Sequence, residues 1–145
     1  MLVFWSNLNF SKNDSQKAYL AVSSAAEFII NDIQQAEYDE VEDSDEKEFI
    51  SESPVFQELL ETAITYIDGS FGPYNTTFTV DAGEHFDDVL VKFRMQKNYK
   101  IIMDLSLGSH TIVGGDTDYN LTVKMTYSGG KWHKSSIDKG RGINE

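Results

Sequence analysis

The chain has 145 residues, a formal net charge of −12, and 40% hydrophobic residues. This length can bury one substantial core, so we expect a single domain spanning residues 1–145. The absence of cysteine excludes a disulfide framework, a thiolate zinc site and a cysteine nucleophile.

The sequence patterns in the N-terminal half of the chain mostly predict helices. Alternating apolar residues within residues 1–10 admit an N-terminal strand. From about Asn13 to Tyr38, apolar residues recur every three or four positions and predict a long helix. Residues 37–52 are dense in acid and poor in apolar side chains, so they predict an acidic loop.

A second helix has a clear start. Ser53 is a favourable N-cap, and Pro54 suits the first helical position, where its missing N–H costs nothing. Gly69 offers a left-handed stop at the other end. The predicted buried stripe of this helix is Phe56, Leu59, Leu60, Ala63, Ile64 and Ile67.

The second half of the chain alternates with a period of two, which is typical of strands. Residues 74–80 are the first candidate, Lys97-Asn98 predicts a hairpin turn, and a last strand surrounds Trp132. Residues 138–145, rich in glycine and charge, predict a flexible tail. The fold class predicted is α+β: two N-terminal helices packed on one face of a curved antiparallel sheet of four to five strands.

Residues 88–108 and 119–137 form long alternating segments, and residues 126–132 read Thr-Tyr-Ser-Gly-Gly-Lys-Trp. This pattern resembles the closing strands of the cystatin-like superfamily, which includes the nuclear-transport-factor-two-like proteins. The resemblance implies a cone between sheet and helices that holds a ligand or performs catalysis. The sequence departs from that pattern because its inward-facing positions are apolar, which indicates a filled core. These positions are Val89, Val91, Phe93, Met95, Ile101, Met103, Leu105, Leu121, Val123 and Met125.

No motif predicts catalysis, a metal or a cofactor. Asp116, Asp118 and Asn120 begin a calcium-loop spacing, but Leu121 and Tyr127 occupy the positions of its glycine and final acid. The three histidines, which are His85, His110 and His133, have no ligand spacing.

The basic residues predict no nucleic-acid site either. Lys92, Arg94 and Lys124 should share the outward sheet face, but a patch of this size on so acidic a protein favours a solvated surface. The apolar start at residues 1–5 has no basic leader, and no run approaches the roughly 20 apolar residues of a membrane span. The sequence therefore predicts a cytoplasmic protein with no membrane contact.

The charge distribution is the strongest functional clue. Residues 32–61 carry twelve acidic side chains and one basic one, whereas residues 89–145 carry a net +4. A solvated block of one sign is typical of an interaction surface. The predicted partner-binding residues are Glu37, Asp39, Glu40, Glu42, Asp43, Asp45, Glu46 and Glu48, with Phe49 and Ile50 as an apolar anchor.

The first hypothesis is a non-enzymatic acidic protein that docks a basic surface of a partner, such as a nucleic-acid-binding protein. It would be an inhibitor of the immunity or nucleic-acid-mimic type. The alternative is a cystatin-like cone that binds a small apolar ligand or acts as a small enzyme, with Tyr99, Tyr119 or Tyr127 near its mouth. A second alternative is a structural subunit that self-associates through sheet edges or oppositely charged ends.

Overall fold

The computed structural model describes residues 14–42, 45–70, 72–81, 88–107 and 120–139. These residues form two helices and seven strands. In chain order the elements are α1 (Asp14–Ile33), β1 (Glu37–Glu40), β2 (Lys47–Ser51), α2 (Gln57–Ser70), β3 (Tyr74–Val80), β4 (Val89–Met95), β5 (Ile101–Leu107), β6 (Asn120–Ser128) and β7 (Lys131–Lys139).

The strands form one curled antiparallel sheet in the order β2-β1-β7-β6-β5-β4-β3. The α+β class is therefore right, but the predicted sheet of four to five strands is wrong. The two additional strands are β1 and β2, which pair with each other inside the segment predicted as an acidic loop, residues 37–52. Sequence periodicity missed them because β1 has only 4 residues and β2 only 5.

The core lies between the two helices and one face of the sheet. α1 packs against β4, β5 and β6, and α2 packs against β3. All ten strand positions predicted to face inward are buried, and so is Trp132. The interior is therefore formed by apolar side chains from both layers.

α1 ends at Ile33, five residues before the predicted end at Tyr38. Its last turn tightens, since the N–H groups of Gln35 and Ala36 donate to carbonyls three residues back. The Tyr38 N–H donates to the Gly130 carbonyl at 2.7 Å, which commits this part of the chain to the sheet. A long-range backbone pairing overrides the local helical pattern here.

The start of α2 is capped from two sides. The Ser53 hydroxyl accepts from the Phe56 N–H at 3.1 Å, as the sequence predicted for an N-cap. Asp32, buried near the end of α1, accepts from the Ser53 hydroxyl and from the N–H groups of Val55 (2.9 Å) and Phe56 (3.1 Å). A carboxylate of one helix thus satisfies the N-terminal donors of the next, where the helix dipole favours negative charge. At the other end, α2 continues past Gly69 to Ser70, so the predicted stop is one residue early.

Two other predictions involve the chain ends. β7 includes Asp138 and Lys139, which were predicted to begin the flexible tail. Residues 140–145 and the predicted N-terminal strand, residues 1–10, lie outside the described residues. Neither helix of the described chain is both long and apolar enough to cross a bilayer.

The outward sheet face contains one buried polar pair. Asp104 on β5 and Thr122 on β6 are direct cross-strand neighbours and are 9% and 8% exposed. Within the described chain, Asp104 Oδ1 and Thr122 Oγ1 are buried without a hydrogen-bond partner. Burial raises the pKa of Asp104, and the positive charge of Lys92, its cross-strand neighbour on β4, opposes this shift.

Replacing Asp104 with Asn is expected to stabilise the protein at pH 7. When a carboxyl group has a higher pKa in the folded state than in the unfolded state, its ionisation destabilises the folded state at pH values above the folded-state pKa. Well below about 3.9, the usual pKa in the unfolded state, the group is protonated in both states and has no such effect. The gain from Asp104→Asn should therefore shrink as the pH falls through the raised pKa towards about 4. Urea unfolding at a series of pH values measures it.

The control is Thr122→Val, which removes the neighbouring unpaired hydroxyl at nearly constant volume. It should stabilise the fold by about 1 kcal/mol at every pH, because no titrating group is removed. A gain from Asp104→Asn that is equally independent of pH would contradict the assigned ionisation of Asp104.

Candidate functional site: the acidic hairpin and the aromatic cluster

Most of the predicted partner-binding residues lie on one β-hairpin, β1–β2, which we call the acidic hairpin (residues 37–51). Glu37, Asp39 and Glu40 lie on β1, and Glu48 lies on β2. The connection contains the exposed residues Glu42, Asp45 and Glu46, whereas Asp43 lies outside the described residues.

The two faces of the acidic hairpin differ. On one face, Tyr38 is paired with Phe49 and Glu40 with Lys47. On the other face, Asp39 stands directly opposite Glu48. Like charges at directly opposed positions destabilise a strand pair, typically by a few tenths to 1 kcal/mol. This face of the hairpin is therefore electrostatically unfavourable in the free protein.

The two residues of the predicted apolar anchor, Phe49 and Ile50, differ in exposure. Phe49 is half-buried, and its ring centroid lies 4.8 Å from that of Tyr38. Both rings pack against the hydrophobic core, so Phe49 contacts its own protein. Ile50 is the extra residue of a bulge between the Glu37 and Tyr38 pairings, and its side chain is 54% exposed. Only Ile50 is available to a partner.

The hairpin joins the sheet over a short contact. β1 and β7 share one register pair, Glu37 with Lys131. Gly130, in the preceding turn, has φ of +84°, and a Cβ there would lie 2.7 Å from a carboxylate oxygen of Asp39. Glycine is required here both for the left-handed backbone and for the close approach of Asp39.

Side-chain packing supplies the rest of the attachment, through what we call the aromatic cluster: Tyr38, Tyr99, Tyr127 and Trp132. The ring centroid of Tyr99 lies 5.9 Å from that of Tyr38 and 5.1 Å from that of Tyr127. The ring centroids of Tyr127 and Trp132 lie 5.0 Å apart. The Tyr127 hydroxyl donates to the Tyr38 carbonyl, which ties β6 to the hairpin. Aromatic pairs at these distances contribute about 0.5–1.5 kcal/mol each beyond their buried area.

Tyr99 occupies the centre of this cluster in a strained conformation. Its φ of +68° is the one positive value among the described non-glycine residues. The residue closes the β4–β5 turn, its carbonyl accepts from Trp132 Nε1 at 2.8 Å, and its hydroxyl donates to Asp68 at 2.9 Å. A residue held in this conformation usually has a side chain that the surrounding structure requires.

Lys47, the basic residue of the acidic hairpin, contacts the aromatic cluster. Its Nζ lies 5.3 Å from the ring centroid of Tyr99 and 5.4 Å from that of Tyr127, within cation–π range. The ammonium therefore holds β2 onto the cluster.

The tyrosine hydroxyls of the cluster remain protonated at neutral pH. Burial raises the pKa of Tyr99, helped by its hydrogen bond to Asp68. Burial, with the charges of Asp39, Tyr38 and Glu40, raises the pKa of Tyr127 to about 12. Burial, with the charge of Asp68, also raises the pKa of Tyr38. The Tyr99 and Tyr127 hydroxyls donate hydrogen bonds, and none of the three phenols is prepared to act as a base at neutral pH.

The structure describes only some of the other residues weighed for chemistry. His133 is exposed, whereas His85 and His110 lie outside the described residues, as do Asp116, Asp118 and Tyr119. Arg94 and Lys124 lie in one cross-strand row of the outward face, with Lys92 beside them, and Arg94 Nε donates to Asn75 at 2.9 Å. The described chain contains no group of three or more histidine, aspartate or glutamate side chains placed to hold a metal ion.

Sequence reasoning named the acidic residues but missed how they are held. It placed Tyr99 and Tyr127 at a cone mouth, and it missed the roles of Tyr38, Lys47 and Asp68. The sequence feature that could have indicated a special role for Tyr99 is its place directly after Lys97-Asn98, at a turn position that glycine or asparagine normally fills.

No protein-family model, curated protein or solved structure matched this chain. The resemblance of its C-terminal strands to the cystatin-like superfamily therefore stays a prediction.

Proposed function

We propose that this protein is a small acidic binding protein whose acidic hairpin docks a basic surface of a partner protein. It would act without catalysis, as an inhibitor of the immunity or nucleic-acid-mimic type. The observation that carries this proposal is the direct opposition of Asp39 and Glu48, whose repulsion a cationic partner would relieve.

The attachment of the hairpin supports the same proposal. Docking costs less free energy when the binding element is already ordered. Tyr38 and Phe49 pack as a pair, and Lys47 lies over two tyrosine rings, so β1 and β2 are held before a partner arrives. The exposed Ile50 adds an apolar contact beside the carboxylates.

The position of the hairpin also suits docking. β2 is an edge strand of the sheet, so one side of the hairpin has no neighbouring strand within the described chain. Asp68, at the end of α2, bonds to Tyr99 and adds negative charge beside the aromatic cluster. The carboxyl end of a helix has negative dipole potential, which extends the acidic surface in that direction.

Neutralising the opposed pair is the direct test. Asp39→Asn with Glu48→Gln should weaken capture of the basic partner at least tenfold, because close charge pairs across an interface carry much of the coupling energy. The same change should leave the fold equally stable, or more stable by up to about 1 kcal/mol. Capture from the native host at low and high salt, followed by titration of the purified partner, measures the effect.

The matched control is Glu27→Gln with Glu58→Gln, since both residues are exposed on the helices and the change in net charge is the same. It should alter affinity only slightly. A hairpin variant that captures the same partner at physiological salt as tightly as the control would overturn the proposal. A wider replacement of Glu40, Glu42, Asp43, Asp45 and Glu46 should abolish capture.

A further inference from the structure

Within the part of the chain that the structure describes, β3 is an edge strand whose own residues lack the usual protection against pairing. It ends the sheet, and within the described residues no strand pairs with its outer side. Its seven residues, Tyr74–Val80, include no charged side chain and no proline. Natural edge strands generally carry charge, proline or a bulge that prevents contact with another strand.

The geometry of β3 suits continuation of the sheet. It pairs with β4 residue for residue, from Tyr74 opposite Met95 to Val80 opposite Val89, with no register shift. Asn75, Thr77 and Thr79 are exposed on its outward face. Threonine is favoured in strands, and a regular unbulged strand is a good template for another.

The opposite edge of the sheet has a different character. β2 includes Lys47 and Glu48, and its partner β1 includes Glu37, Asp39 and Glu40. Two copies of a chain with net charge −12 repel each other strongly at such a surface. At β3 the repulsion is smaller than at β2, because the strand is uncharged and Thr77 and Asn75 are paired with Lys92 and Arg94 on β4.

We propose that β3 is a self-association surface, on which β3 of a second copy pairs antiparallel to give a two-fold symmetric dimer with a continuous sheet. The two-fold axis passes beside Thr77, the central residue of the strand, so that Thr77 faces its own copy. Closed two-fold pairing of this kind is the commonest symmetry of soluble oligomers. The interaction depends on backbone hydrogen bonds between two edges.

This symmetry gives a sharp test by substitution. Thr77→Glu places a carboxylate beside Lys92 within each chain, so the fold should keep its stability. In the dimer the same change places two carboxylates directly opposite each other. We expect the dissociation constant of the dimer, measured by sedimentation equilibrium over a concentration series, to rise at least tenfold.

Thr126→Glu is the matched control, since Thr126 is exposed on the central strand β6 and the charge change is the same. It should shift the dissociation constant by less than threefold. Added salt should strengthen the dimer, because it screens the repulsion between two acidic chains. Salt should weaken docking of a basic partner, and Thr77→Glu should leave that docking unchanged, so the two proposals can fail separately.

A chain that stays monomeric across the concentration series overturns the self-association proposal. Equal effects of Thr77→Glu and Thr126→Glu also overturn it. If salt weakens the association and Glu48→Lys disrupts it, the contact is between oppositely charged ends of two copies. That outcome would also overturn β3 pairing.

Discussion

Replacing Trp132 with Ala should lower the free energy of unfolding by about 3–5 kcal/mol, the usual cost of truncating a buried tryptophan. Trp132 is 1% exposed, packs on Tyr127 and donates its indole N–H to the Tyr99 carbonyl. The substitution leaves a cavity and an unpaired carbonyl at the centre of the aromatic cluster. Urea unfolding followed by circular dichroism measures the loss.

Trp132→Phe separates packing from hydrogen bonding. It keeps most of the ring and removes the donor, so it should cost about 1–3 kcal/mol. Trp132→Ala should also free the acidic hairpin from the cluster, and proteolysis under native conditions should then cleave within residues 37–51 at an increased rate. Cleavage at an unchanged rate would show that the cluster does not hold the hairpin.

Asp32→Ala is expected to destabilise the protein by about 2–4 kcal/mol. The carboxylate accepts three hydrogen bonds at the start of α2. Its loss removes the acceptor of the buried Ser53 hydroxyl and of the Val55 N–H, whereas the Phe56 N–H still donates to Ser53 Oγ. A buried donor left without a partner costs about 1–3 kcal/mol. The buried position of Asp32 prevents water from replacing it easily. Thermal and urea unfolding of the variant measure the effect.

Two companion variants test this explanation. Ser53→Ala removes the N-cap hydroxyl but keeps Asp32, so it should cost about 0.5–2 kcal/mol. Asp32→Asn keeps an acceptor oxygen and should fall between the parent and Asp32→Ala. If Asp32→Ala costs no more than Ser53→Ala, the link from α1 to α2 is not a main determinant of stability.

The acidic hairpin combines a favourable attachment with an unfavourable surface. On its inner face, Tyr38 is a member of the aromatic cluster, and Phe49 and Lys47 contact that cluster. On its outer face, Asp39 and Glu48 stand directly opposite each other. Under the proposed function, docking of a cationic group would remove this repulsion.

Long regular patterns made much of the fold predictable. In β4 and β5, seven residues each, apolar residues at every second position gave each strand one apolar face and one mostly polar face. A slip of one residue would bring Lys92, Arg94 and Asp104 into the core, so the register was predictable. The capping role of Ser53 was likewise predictable, because capping depends on local chemistry. The predicted first helical residue was wrong, since α2 begins at Gln57 and not at Pro54. The acidic hairpin had no comparable signal, since Tyr38, Phe49 and Ile50 are too few to establish a period.

The sequence by itself determined the α+β class, the apolar interior and the concentration of negative charge in residues 32–61, because periodicity, capping and charge are local properties of the chain. Only the tertiary structure decided that acidic residues 37–51 form two further strands. Their pairing requires Gly130 of a distant turn and three aromatic residues from β6, β7 and the β4–β5 turn. Contacts between residues far apart in sequence supply the free energy that stabilises this pairing, and no local sequence pattern indicates those contacts.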